Sequence, residues 1–347
     1  MKIKKIYLYD VGPVSQEISF EDNWNGTIHK QILFSGPNGS GKTVILKAIA
    51  TLWDAVGYWL DHRKPMSQKD SRWIWLKHWV ERGIGIILED VGFTSLPVGI
   101  FFGQSSIFSD ISHQASVWIG ETFKSYSDNH RDIIENDNEK IINDWAEHRR
   151  RMILTFEKTK ASNIVYLDAE ARRWITPRQN IGKIFPDDSN LRWLVTYTAS
   201  KDWKGQIEAS LLNLKTTQLQ KYHEVIRDLN SFFYDKEIDP KIKAGENRIR
   251  VRIGKSKKSH FMDELSSGEH QILIQVYLIS RWLENGGIVM IDEPDLYLHP
   301  SMIHGLLGTL EYLTDKLNAQ LIITSHNPDL WNRYEAKGLR VSLGGSL

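Results

Sequence analysis

The run Phe34-Ser35-Gly36-Pro37-Asn38-Gly39-Ser40-Gly41-Lys42-Thr43 constrains this chain more than any other, because it satisfies G-x-x-x-x-G-K-[ST] directly after an apolar stretch. Such a loop forms where a buried strand turns into a helix. Its glycines let successive backbone N–H groups turn inward as a nest for phosphate, the lysine reaches the β/γ oxygens, and the final hydroxyl holds a magnesium ion. Gln31-Ile32-Leu33-Phe34 reads as the strand and Thr43 to about Leu60 as the helix. The candidate nucleotide-binding residues are Gly36, Asn38, Gly39, Ser40, Gly41, Lys42 and Thr43, with Thr43 also a magnesium ligand. On this motif alone a decayed loop that binds without hydrolysis remains open.

Three further blocks bear on that choice. Gly287-Ile288-Val289-Met290-Ile291-Asp292-Glu293-Pro294-Asp295 is an apolar strand ending in adjacent carboxylates, the Walker B pattern. Beside a phosphate loop, Asp292 holds the magnesium through water and Glu293 polarises the attacking water as general base. Glu264-Leu265-Ser266-Ser267-Gly268-Glu269-His270-Gln271 precedes an apolar helical stretch, Ile272 to Trp282. Ser266 and Gly268 stand where that helix begins, so hydroxyl, N–H groups and helix dipole together suit an anion. Ser266 with Glu269 also reads as a capping box, and both descriptions hold at once. Lastly, Leu321-Ile322-Ile323-Thr324-Ser325-His326-Asn327-Pro328 is a strand that delivers His326 to its carboxyl end.

In this order, the phosphate loop, the block Leu265-Ser266-Ser267-Gly268-Glu269, which is similar to the signature motif of such ATPases, Walker B with Asp295 following, and the histidine resemble an ABC-type ATPase head. The wording IDEPDLYLHP and IITSHNPDL is similar to the SMC/RecF/OLD branch, whereas transporters usually read LDEPTSALD. The likeness covers about residues 1 to 60 and 240 to 347. It implies ATP as the nucleotide, Glu293 and His326 as catalytic residues with His326 sensing the γ-phosphate, and Thr43 and Asp292 on Mg2+. Ser266 and Gly268 would meet the γ-phosphate bound to a second copy, making a homodimer or higher oligomer around two ATP. The family also supplies a glutamine that completes the magnesium shell. No unambiguous match appears: Gln104 and the stretch Asn163-Ile164-Val165-Tyr166-Leu167-Asp168 both stay open.

The expected fold is therefore α/β, an ABC-ATPase head of the P-loop NTPase type with an antiparallel β subdomain, a helical insertion and no long coiled coil. Residues 1–125 form the N-terminal lobe, 126–237 the helical insertion or lid, and 238–347 the C-terminal lobe. Ile3 to Leu8 and Gln16 to Phe20 alternate as two strands around a Gly-Pro turn. Trp73-Ile74-Trp75, Trp79 and Trp118 fall in or near strand-like segments and fit the antiparallel sheet. Asn129 to Phe156 has apolar residues at helical spacing, and Trp203 to Phe233 reads as a long amphipathic helix. SMC and RecN-type arms need on the order of a hundred residues or more each way, and no sustained heptads occur here.

Composition adds exclusions. With 41% hydrophobic content the chain can bury a core, and without cysteine it has neither disulfides nor thiolate metal sites. Its N-terminus MKIKKIYLYD has no apolar signal core and no uncharged stretch approaches membrane-spanning length, so a cytoplasmic location and no membrane partner are expected. With 44 basic and 43 acidic residues, overall charge argues neither for nor against nucleic acid. The clusters His148-Arg149-Arg150-Arg151 and Lys255-Ser256-Lys257-Lys258 read as solvated faces or as DNA contacts.

By the resemblance, short heads of this kind serve as ATPase sensors in bacterial anti-phage systems similar to PARIS and Septu, holding a separate nuclease or toxin. OLD-type nucleases continue into a Toprim domain after the histidine; this sequence ends at Leu347, so any nuclease is expected to be another protein. The alternative is a RecF-like repair or recombination ATPase touching DNA directly. A scaffold that hydrolyses little ATP is disfavoured by the intact Glu293, and a transporter ATPase by the LYLHP wording.

Overall fold

The computed structural model describes residues 1–125, 130–136, 138–155, 159–174, 192–199, 207–233, 235–242, 248–254 and 258–344. Two six-stranded sheets enclose the phosphate-loop helix, Lys42–His62. The parallel sheet runs in the order Leu339–Ser342, Gln31–Ser35, Gln320–Ser325, Ile288–Ile291, Ile164–Leu167, Leu194–Thr196, with every pair parallel. The four inner strands are short and apolar on both faces, as expected where helices cover both sides, and the edge strands Leu339–Ser342 and Leu194–Thr196 are less buried. Ile32, Phe34, Met290 and Ile322 pack toward the phosphate-loop helix, while Leu33, Val289, Ile291 and Ile323 pack toward the other face. That other face is covered by the helices Ser267–Trp282 and Pro300–Lys316.

The second sheet is antiparallel except at one pair. Its order is Val14–Ser19, Lys2–Val11, Val80–Glu89, Val98–Gln104, Val117–Phe123, Arg131–Ile133. Val98–Gln104 and Val117–Phe123 run parallel because the helix Ser105–Ile111 carries the chain back between them. Gly120 is forced at their contact: with φ +155°, a Cβ there would stand 1.8 Å from the Phe101 carbonyl oxygen. Gln320 is wholly buried and joins the sheets, its Oε1 accepting from the Ile3 N–H (2.8 Å) and its Nε2 donating to the Ile3 and His29 carbonyls (3.0 and 2.9 Å).

Several expectations need correction. Trp73, Trp75 and Trp79 lie on a helix, Ser71–Trp79, started by Asp70, whose side chain accepts from the Arg72 N–H. The long helix over 203 to 233 is two helices, Ile207–Thr217 and Leu219–Asn230. Thr216 and Thr217 both donate their hydroxyls to the Asn213 carbonyl, closing the first helix before Gln218. The part of that stretch from Trp203 to residue 206 lies outside the described residues. The segment from 126 to 237 carries helices and also the strands Ile164–Leu167 and Leu194–Thr196 of the parallel sheet. Within 129 to 156, residues 131–133 are strand and Glu139–Leu154 is helix.

By length and hydropathy the helix Lys42–His62 reaches what a membrane span needs. Its apolar residues are instead buried between the sheets. Trp53 stacks on Trp193 with ring centroids 4.2 Å apart, and each indole N–H donates to the other residue's carbonyl (3.0 and 2.9 Å).

Candidate nucleotide site at the edge of the parallel sheet

The loop after Gln31–Ser35 leaves the carboxyl edge of the parallel sheet, where the neighbouring strands also end. Its glycines answer to sterics. At Gly36, φ is +151° and a Cβ would stand 2.4 Å from the Leu343 carbonyl oxygen; at Gly41, φ is +93° and a Cβ would meet Val14 at 2.4 Å. Lys42 is 5% exposed, and its ammonium folds back to the Gly36 and Pro37 carbonyls at 2.8 and 2.9 Å. The Ser40 hydroxyl is buried without a partner inside the same loop.

Two strands away, the chain delivers its acids. Asp292 is 2% exposed and receives one hydroxyl on each oxygen: Thr43 donates to Oδ2 (2.9 Å) and Thr324 to Oδ1 (2.6 Å). Burial pushes its carboxyl above the usual aspartate range, against the pull of those two hydroxyls. Glu293 follows in the left-handed region with φ +45°, unusual for a residue with a Cβ. Its N–H donates to the Thr324 hydroxyl (2.9 Å), and His326 Nδ1 lies 3.3 Å from its Oε1. Asp295 accepts from Ser325 (3.1 Å) through one oxygen, and the other is buried without a partner; burial raises its pKa too.

Ser266 caps the helix Ser267–Trp282 as expected: its hydroxyl accepts from the Glu269 N–H (3.3 Å) and the Glu269 carboxylate accepts from the Ser266 N–H (2.8 Å). Gly268 rests against Tyr297 and Leu298, in the turn after the acidic strand. Lys42, Thr43, Asp292, Glu293 and His326 are linked to one another or to the loop by hydrogen bonds, and among the described residues none joins Ser266 or Gly268 to residues 36–43.

The two candidates for the missing glutamine now separate. Gln104 ends a strand of the antiparallel sheet. Asp168 follows Ile164–Leu167, which pairs directly with the acidic strand, and its charge is among those that raise Asp292. Thr324 and Arg172 were given no role by sequence. Thr324 lies two residues before His326 and was readable as the polar end of an apolar strand, whereas Arg172 had no local signal. Its guanidinium, 1% exposed, reaches the carbonyls of Leu167, Asp292 and Glu293.

Magnesium fits this donor set. Among the described residues no three His, Asp or Glu side chains could hold a metal by themselves. Mg2+ does not require that, since it keeps several waters and takes one or two protein oxygens beside phosphate. Thr43 and Asp292 already touch, and the nest with an unpartnered Ser40 hydroxyl lies beside them.

Residues 183–331, under half of the chain, match the family described as "AAA domain, putative AbiEii toxin, Type IV TA system". That stretch holds Ser266, Asp292, Glu293 and His326, and the phosphate loop lies upstream of it in the sequence and beside it in space. Over these residues the chain is similar to ATPases of the ABC, SMC and OLD kind.

Relatives resemble the head over limited spans. "OLD nuclease" of Thermus scotoductus is 34% identical over 95 residues, 26% of this chain and 18% of its own length. "Retron Ec83 probable ATPase" of Escherichia coli is 34% identical over 98 residues, 25% of this chain and 18% of its own. The matched stretches span well under two thirds of these relatives. Among solved structures, the "SMC head domain from Thermotoga maritima" aligns over 99% of this chain and 94% of its own, at 14% identity and a TM-score of 0.44.

Proposed function

We propose that this head binds Mg·ATP, hydrolyses it slowly, and uses the cycle to join and release two copies of the chain, thereby controlling a separate nuclease or toxin in bacterial anti-phage defence. The observation that carries the reading is the 2.9 Å hydrogen bond between Thr43 and Asp292, 249 residues apart, with Glu293 and His326 beside it. It joins a phosphate nest to an acidic pair, the arrangement that phosphoryl transfer needs.

In this reading the N–H groups of residues 36–42 cradle the phosphates, and Lys42 exchanges its two loop carbonyls for phosphate oxygens. Thr43 and, through water, Asp292 would hold magnesium, which would supply charge neutralisation to the phosphates. Glu293 takes the proton from the attacking water, and His326, 3.3 Å away, aligns its carboxylate and meets the γ-phosphate. Asp168 stands in for the family's glutamine. Ser266 and Gly268 point their helix start at the nucleotide of the partner subunit.

The relatives named as a retron ATPase and a nuclease, and the toxin in the family's description, favour an effector-linked role. Direct DNA binding has less behind it. In His148–Arg151, Arg149 is buried and pairs with Asp61 (2.7 Å), and Arg151 pairs with Glu147. Residues 255–257 of the other basic cluster lie outside the described residues.

Mass photometry of the chain with the protein encoded beside its gene, with and without Mg·ATP, tests this. The expected result is an ATP-dependent doubling of the head with the neighbour retained until hydrolysis. A head that ignores its neighbour and shifts only on adding duplex DNA would move the reading to a repair ATPase.

A further inference from the structure

We propose that Arg172 is a positioning residue that ties the start of the signature helix, Ser267–Trp282, to the backbone of Glu293, so that movement of that helix resets the general base. The inference rests on the role given above to Glu293. It goes further, because it supplies a route by which a signature helix engaged by a second copy acts on its own subunit's acid.

Three sets of contacts make the case. First, the Arg172 guanidinium holds the acidic turn by its main chain: Nη1 donates to the Leu167 and Asp292 carbonyls (3.0 and 2.7 Å) and Nη2 to the Glu293 carbonyl (2.8 Å). A planar guanidinium fixes these acceptors relative to each other, as a lysine ammonium does not. Second, the same side chain reaches the signature helix, with Nε donating to Gln271 Oε1 (3.2 Å), and the Gln271 amide returns a hydrogen bond to the Arg172 carbonyl. Trp174 stacks flat on His270, ring centroids 4.2 Å apart and planes within 5°, so consecutive residues of the helix are gripped by one short segment. Third, Gln275, one helical turn further on, donates to the Pro294 carbonyl (3.1 Å), the residue after Glu293.

Glu293 needs such support. Its left-handed backbone is a conformation that persists only where the surroundings over-determine it. Here Thr324 holds its N–H and Arg172 its carbonyl. Arg172 lies among Asp292, Asp168 and Asp295, and although burial lowers its pKa to about 10 it remains charged at neutral pH.

The test compares Arg172→Met, Gln271→Leu and the double variant of the full chain, each checked for folding by its melting temperature. Mg·ATP affinity is read with a fluorescent ATP analogue, and kcat and KM by phosphate release. Misplacing a catalytic group by an ångström costs about 10²-fold, so Arg172→Met should lower kcat by about that factor while affinity changes by less than about threefold. Gln271→Leu should lower kcat by roughly tenfold, and the double variant should be no slower than Arg172→Met, as for two members of one network. A kcat for Arg172→Met within about threefold of the original chain, or an equal loss of affinity and rate, overturns the proposal. So does an unchanged kcat for Gln271→Leu, which also decides the matter should Arg172→Met not fold. If the unmodified chain binds no Mg·ATP or does not hydrolyse it, the reading of the site fails instead.

Discussion

Glu293→Gln is expected to lower steady-state ATP hydrolysis by about 10²–10⁴-fold, the usual contribution of a positioned general base, while Mg·ATP affinity stays within about threefold. The amide keeps the shape of the side chain and its place beside His326, but it cannot accept a proton from water. Because the N–H and carbonyl of Glu293 are held by Thr324 and Arg172, the substitution leaves the turn in place. The change in rate therefore reports chemistry and not folding. If hydrolysis opens the closed pair, this variant should also accumulate as an ATP-bound dimer, seen as a doubled mass that persists for many minutes. Normal turnover in the variant, with dissociation at the original rate, would remove Glu293 from the mechanism.

The second large effect is at Lys42. Lys42→Ala should weaken Mg·ATP by about 10²-fold, since the ammonium makes more than one charge-assisted hydrogen bond to phosphate and each is worth roughly 1.5–3 kcal/mol. In the structure Lys42 is buried and spends its protons on Gly36 and Pro37 carbonyls, which keeps it poised within the loop. Melting curves with and without Mg·ATP measure the loss. Ligand at about a hundredfold over its Kd stabilises the original chain by about 2.7 kcal/mol, and at the same concentration the variant should gain only a small fraction of that. An unchanged shift would mean that the nucleotide is held elsewhere.

Much of this site could be read from sequence because its chemistry is local. The phosphate loop, the acidic pair and His326 each follow an apolar run of strand length, and placing three such strands side by side in parallel brings their carboxyl ends together. The capping box at Ser266 and Glu269 was legible for the same reason, being a contact between residues on one helical turn. What escaped depends on distance or on competition. Trp73 to Trp79 has the composition of a strand, yet Asp70 caps it as a helix and the Asp70–Arg72 pair (2.6 Å) holds the first turn. Ile207 to Asn230 keeps its apolar stripe across a break made by threonine hydroxyls, which hydrophobic periodicity does not register. Arg172 binds main-chain carbonyls up to 121 residues away, so nothing in its own neighbourhood announces it.

The most direct test of the central claim mixes two inactive chains. Lys42→Ala lacks the phosphate lysine, and Ser266→Arg places a bulky cation at the start of the signature helix; each alone should hydrolyse almost no ATP. When they are combined, a mixed pair has one site built from an intact phosphate loop and an intact signature. Phosphate release should return to a substantial fraction of the original rate. A mixture as inactive as its parts, or a Ser266→Arg chain that hydrolyses ATP normally by itself, would contradict a nucleotide site shared between two copies.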